Sequence, residues 1–167
     1  TKRAFIDGET FMFLGERYPL QVRHGPKAWA ELEAGVFVVH VRRSHSTERR
    51  ARSIRAAFLR WYKAEAATMI EDRVRQYAAR MMLSPGQLSF RDYKSMWGKC
   101  TSDGDLSFNW KLVMAPLDIV DYVVVHELAH LRFLNHSAKF WSVVETAMPD
   151  YRSRRKWLKD HGGTLTI

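Results

Sequence analysis

One stretch restricts this chain more than any other: Val123 to Trp141, reading VVVHELAHLRFLNHSAKFW. His126, Glu127 and His130 stand in the order H-E-x-x-H, and His136 follows. On an α-helix, positions four apart lie on one face, one turn above each other. The spacing predicts a helix that points the imidazoles of His126 and His130 at a common cation. Glu127, rotated by about 100° from His126, stands beside their line, where a carboxylate can hold and deprotonate a water on that cation. Val123, Val124 and Val125 before the motif, and Leu128, Ala129 and Leu131 in and after it, make the helix a buried one. Buried polar side chains without partners cost free energy, so three of them need a purpose. Core histidines satisfied by hydrogen bonds are the bland explanation. A metal centre is the sharper one, and a third histidine within reach of a turn favours it.

Three neutral imidazoles leave Zn²⁺ one open position, the mark of a catalytic rather than a structural site. A metal so held lowers the pKa of its water and polarises a carbonyl. Glu127 would take the water's proton and pass it to the leaving amine, as general base and then acid. H-E-x-x-H on a helix is the signature of zinc metallopeptidases. The expected ligands are therefore His126, His130 and His136, with Glu127 catalytic. The all-imidazole set favours one zinc per chain, although nickel or cobalt fits the same ligands.

The spacing to His136 equals that of the metzincins, but Phe133 stands where those have glycine. The turn must differ. The sequence predicts a helix that runs to Leu134–Asn135 and closes on Asn135 in the left-handed conformation, which Asn tolerates. Glu145 is the rival third ligand, and Cys100 as a fourth would turn the site structural. Ligating histidines usually donate their other N–H to a carboxylate or carbonyl, and Asp118, Asp121 and Glu145 are the candidates. Tyr93, Asn109 and Tyr151 are candidates for steadying the oxyanion. The strand Leu106–Trp110, if it lies at a sheet edge, would pair with an extended peptide.

With 167 residues, 46% of them apolar, the chain suffices for one domain over 1–167 with a real core. No apolar run reaches the roughly 18 residues that span a bilayer, so no membrane partner is expected. The opening TKRAFIDGET lacks the apolar stretch of a signal peptide, and the single cysteine, Cys100, allows no intrachain disulfide. Both point to the cytoplasm. The net charge of +9 leaves two readings open: a basic surface that aids solubility, or attraction to a polyanion such as nucleic acid.

Upstream, Phe11–Leu14 and Tyr18–Arg23 around Gly15-Glu16 read as a hairpin. The β-branched run Val36–Val41 reads as a buried strand, with His40 in a local hydrogen bond. Residues 47–82 read as one long helix, or two in sequence, capped by Thr47 and ended by Ser84-Pro85-Gly86. Its core stripe is expected at Ile54, Phe58, Trp61, Glu65, Met69, Val74, Tyr77 and Met81. Its other face carries Arg49, Arg50, Arg52, Arg55, Arg60 and Lys63, a solvated face or a nucleic-acid footprint. Asp103-Gly104 marks a second hairpin turn. Pro116 and Asp118 suit the first turn of the motif helix. Beyond it, Ser137 caps a helix over 138–147, and Tyr151–Asp160 forms a last basic helix ended by Gly162-Gly163.

Four segments carry a resemblance to a known family: MWGKC at 96–100, DGDLSFNW at 103–110, APLDIVDYVVVHELAH at 115–130 and NHSAKFW at 135–141. The chain resembles the YgjP-like metal-dependent hydrolases, zincin-type proteins related to the SprT-like and WLM proteases. Where that family commonly has Arg before the Trp-Gly pair and Ser after it, this chain has Met96 and Lys99. The resemblance implies a metal on His126, His130 and His136, with Glu127 as acid and base. It implies an α+β, zincin-like fold, a small and mostly antiparallel sheet packed on the H-E-x-x-H helix with further helices. Two function classes follow. The leading one is a zinc-dependent hydrolase, a metallopeptidase acting on a peptide or protein substrate. The rival is a nucleic-acid-associated binding protein whose zinc is structural or vestigial.

Overall fold

The structure, a computed structural model, describes residues 2–167. In chain order these form β1 (Thr10–Phe13), β2 (Glu16–His24), β3 (Trp29–Glu33), β4 (Val36–Val41), α1 (Thr47–Met81), β5 (Leu88–Arg91), β6 (Gly98–Cys100), β7 (Leu106–Asn109), α2 (Leu117–Ala129), α3 (Ala138–Ala147) and α4 (Tyr151–His161). A 3₁₀ turn over Trp110–Met114 joins β7 to α2. The architecture is α+β, as expected, but with two small sheets in place of one. The first has the order β1-β2-β4-β3, with β2 and β4 parallel and the outer pairs antiparallel. The second has the order β5-β7-β6, with β5 parallel and β6 antiparallel to the central β7.

The β1–β2 hairpin turns at Leu14-Gly15, where φ is 49° and 83°. Two successive positive φ values make the kind of turn whose twist matches that of the flanking strands. The turn also reaches across the molecule. Leu14 N–H donates to the Val113 carbonyl at 2.8 Å and Gly15 N–H to the Met114 carbonyl at 2.9 Å. A Cβ on Gly15 would come within 2.9 Å of Pro116. The hairpin tip thus holds the entry to α2.

Helix α1 is one unbroken helix and touches both sheets. Its cap is Ser46 rather than Thr47: Ser46 Oγ accepts from Arg49 N–H at 3.2 Å. It closes on Met82 at φ 54°, before Ser84-Pro85-Gly86 is reached. Its buried stripe is Ile54, Ala57, Phe58, Tyr62, Ala66, Ile70, Val74, Tyr77 and Ala78. Trp61, Glu65 and Met69 fall one position off that line. Small Ala57 and Ala66 let the helix lie close to its neighbours, and a pattern search that weights only large apolar residues passes over them. Phe11, Phe37, Phe58, Tyr62 and Trp110 meet at ring separations of 4.6–6.0 Å in the core. The Tyr62 hydroxyl donates to the Met12 carbonyl at 2.6 Å, and burial pushes its pKa up. Each such ring contributes about 2 kcal/mol by leaving water.

Strand β3 had no sequence signal of its own, since Trp29-Ala30-Glu31-Leu32-Glu33 alternates only weakly. It forms on the edge of the first sheet, paired with β4. There His40 stacks on Trp29, with ring centroids 4.1 Å apart, and lies 3.7 Å from Glu31. His40 is a strand histidine, as expected, held by stacking rather than by a hydrogen bond.

Candidate metal centre

Helix α2 is almost wholly buried. It packs between α1 on one side and α3, α4 and β6 on the others. Two carboxylates of α2 are buried with it, Asp121 and Glu127. Asp121 is paired: Arg73 of α1 clamps both its oxygens at 2.7 Å, and the Tyr77 hydroxyl adds a bond of 3.2 Å. The Asp121 hydrogen bond in turn raises the Arg73 pKa. This clamp fixes the rotation of α2 against α1.

The helix stops at Ala129, so the expected run to Leu134–Asn135 does not form. Leu131 N–H donates to Leu128 and Arg132 N–H to Ala129, a tightening typical of a last turn. Asn135 is not left-handed. What closes the helix is a histidine: His130 Nδ1 lies 2.9 Å from the Phe133 carbonyl oxygen. The chain then folds back, and Ser137 caps α3 by accepting from Phe140 N–H at 3.3 Å.

That reversal brings His136 to the motif. One nitrogen from each of His126, His130 and His136 lies within 4.8 Å of the others. His126 Nε2 and His136 Nε2 are 3.2 Å apart. Two nitrogens at about 2.0–2.1 Å from one tetrahedral zinc stand roughly 3.3 Å apart, so the pair fits a shared metal. Burial is the first cause that lowers His126, to about 3, followed by its two neighbouring imidazoles and Arg155. His130 is lowered by burial too. Both rings are therefore neutral near pH 7, the form that binds metal.

The tilt of each ring is set from behind. The Tyr122 hydroxyl lies 3.4 Å from His126 Nδ1, and the Phe133 carbonyl serves His130. These are the roles sought at Asp118, Asp121 and Glu145. Asp121 is engaged with Arg73, and Glu145 is exposed beside Arg152 at 4.0 Å. Glu145 and Cys100 lie outside the histidine group among the described residues. Phe140 and Trp141 wall the group, with ring centroids 4.3 Å from His130 and 5.7 Å from His126 respectively.

Glu127 is 5% exposed, and burial alone pushes its carboxyl up to about 8. The edge strand β6 covers it. A Cβ on Gly98 would sit 2.8 Å from both Cγ and Oε2 of Glu127, so only glycine lets the strand pass this close. Cys100, next but one along the strand, has its thiol pushed up to about 11, first by burial and then by the Glu127 charge.

The structure also bears on the strand and on the three oxyanion candidates. Leu106–Asn109 is the central strand of its sheet, and of the two edges, β5 and β6, the one against Glu127 is β6. Trp97 carbonyl and Thr101 N–H bond across to Asn109 and Asp105. In the antiparallel alternation Gly98 and Cys100 then turn their N–H and C=O groups outward. Asn109 is occupied, donating to the Tyr93 and Met96 carbonyls at 2.9 and 3.0 Å, and Tyr93 bonds Ser107 at 2.7 Å. Tyr151 stacks on Trp141 at 5.2 Å. Tyr122 and Gly98 were missed. Tyr122 was legible in principle, one turn before His126 on the same face, whereas Gly98 shows its purpose only when the strand lies on the helix.

The family described as YgjP-like, metallopeptidase domain, matches residues 1–161. The chain belongs to the YgjP-like metallopeptidase family. It is a metal-dependent hydrolase, and the resemblance seen in its motifs extends over almost all of it. Two solved structures are similar to it. The crystal structure of the metallopeptidase zymogen abylysin of Pyrococcus abyssi is 21% identical, with a TM-score of 0.49, over 54% of this chain and 93% of the other. That of the metallopeptidase zymogen jannalysin of Methanocaldococcus jannaschii is 18% identical, with a TM-score of 0.48, over 57% of this chain and 96% of the other. No curated relative matches the chain. Among the described residues no helix is long and apolar enough to cross a membrane.

Proposed function

We propose that this YgjP-like protein, folded as one domain around one core, is a zinc peptidase. His126, His130 and His136 would hold the metal and Glu127 would move the proton. The observation that carries the reading is the convergence of three imidazole nitrogens beside a buried carboxylate that has no counter-charge among the described residues. Zinc held there would supply Lewis acidity, making a water more acidic and a carbonyl more electrophilic.

The chain's own residues do the rest. Glu127 takes a proton from the attacking water and returns it to the leaving amine. A carboxyl with its pKa pushed towards neutrality is suited to both halves of that exchange. Tyr122 and the Phe133 carbonyl keep the imidazoles oriented. The substrate would lie extended along β6, bonding the outward groups of Gly98 and Cys100. That Cys100 is the single cysteine agrees with a reducing compartment and so supports the cytoplasm. The exposed arginines of α1 leave nucleic acid as a further partner, though nothing at the metal centre calls for one.

The test is hydrolysis of a denatured protein substrate by zinc-loaded enzyme. Activity that a chelator removes, that zinc restores and that Glu127→Gln abolishes with metal content unchanged supports the reading. Full activity in Glu127→Gln overturns the mechanism. Full zinc content in His136→Ala together with its loss in Glu145→Ala overturns the ligand set.

A further inference from the structure

We infer that the substrate is acidic: the enzyme selects peptide segments with Asp or Glu beside the scissile bond, and Arg155 is the residue that reads them. This rests on the peptidase reading above and names the substrate it takes.

The first observation is a cation without a partner. Helix α4 carries Arg152, Arg154, Arg155 and Lys156 in near succession. Arg152 faces Glu145, Arg154 faces Asp150 at 3.1 Å, and Lys156 faces Asp160. Arg155 has no acidic partner among the described residues. Its guanidinium lies 4.7 Å over the Trp141 ring, and that ring is 5.7 Å from His126 and 6.0 Å from His136. An arginine stacked on an aromatic face keeps its in-plane donors free, and those donors match a carboxylate in two parallel bonds. The stack thus holds a free carboxylate receptor at the rim of the metal centre.

The second observation is the sign of two clefts near the metal centre. Beside His130, a cleft of about 450 Å³ runs between the β6–β7 turn and the loop after α2, and its one charged group is Arg132. Against Trp97, the neighbour of Gly98, a second cleft of about 370 Å³ is bordered by Lys94 and Lys159. Neither is lined by an Asp or Glu. A peptide that reaches from the metal centre into either cleft meets positive charge there, in addition to Arg155. Such complementarity raises the encounter rate and penalises basic sequences.

The experiment uses three peptides with one uncharged core flanked by Glu, by Gln or by Lys, and zinc-loaded protein. The expected order of kcat/KM is Glu, then Gln, then Lys. The Glu-to-Gln ratio should be about tenfold at low salt and shrink as salt screens the charges. In Arg155→Gln that ratio falls towards one. In Arg155→Glu the Lys peptide becomes the best substrate, a reversal that a merely structural arginine would not produce. Equal rates on all three peptides, or a ratio that survives in Arg155→Glu, overturn the inference.

A binding arm separates this from failure of the peptidase reading. Zinc-loaded Glu127→Gln is titrated into the labelled peptides and followed by anisotropy. Preference for the Glu peptide here, with no cleavage by the wild type, supports the acidic ligand and sinks the peptidase. An oligothymidylate that binds more tightly than the Glu peptide, and loses that binding in Arg155→Glu, overturns the acidic peptide in favour of nucleic acid.

Discussion

Asp121 and Glu127 sit six positions apart on one helix, both nearly sealed from water, and the fold treats them in opposite ways. Asp121 meets a guanidinium that satisfies both its oxygens. Glu127 meets a glycine backbone, a thiol and the neutral rings beyond. A buried charge normally keeps a partner because leaving it alone is costly. The first carboxylate therefore describes how a helix is held in place. The second describes a cost that the fold tolerates at one point, where, on the proposed reading, a bound cation would offset it and catalysis would use it.

The contrast is open to attack, and the largest expected effect comes from Glu127. Glu127→Gln should lower turnover by about 10³-fold, within the range for a general acid–base residue, while the thermal midpoint holds or rises, since a neutral amide suits the buried site better. A fall in the midpoint with activity retained would make Glu127 a structural group like Asp121. Asp121→Ala should do the reverse. It leaves the Arg73 guanidinium unpaired and should cost about 2–3 kcal/mol in urea unfolding, less than a fully buried pair because Arg73 keeps some contact with water. The folded fraction should still bind stoichiometric zinc.

Gly98→Ala should fall next in size. Its methyl must push the Glu127 carboxylate aside, and a shift of about 1 Å in a reacting group costs up to about 10²-fold in rate. Metal content should be unchanged, which separates a displaced Glu127 from a damaged ligand set. The smallest effect is expected at Arg52→Gln on the exposed face of α1, within about 0.5 kcal/mol. A measurable loss of stability there would mean that the arginine face packs against something.

Reading the sequence forwards went furthest where period and chemistry agreed. H-E-x-x-H fixed the identity of the helix because four-residue spacing has one meaning on an α-helix. Ser137 gave the start of α3 because a cap is a local matter. The path between them was not legible. The Phe133 side chain shows only that the metzincin glycine is absent, yet the Phe133 carbonyl is what matters, and carbonyls are silent in a sequence. Asn135 was given the turn on propensity, but the His130 bond had already closed the helix. Whether strand β7 lies at an edge or inside its sheet was open in the sequence, because nothing in Leu106–Asn109 says which strands will flank it. Likewise the Arg73–Asp121 clamp joins residues far apart on two helices, and only packing brings them together.

The contact between the hairpin tip and the entry to α2 bears on the order of events in folding. Leu14 and Gly15 bond to carbonyls about a hundred residues downstream. Joining ends so far apart carries a loop-closure entropy that must be met before the contact yields anything, and such non-local closures slow folding. The N-terminal hairpin and helix α2 should therefore become ordered in a single late step. Zinc added to refolding chains would be captured at the rate of that closure, and a chain lacking the first two strands would lack the stop against which α2 begins.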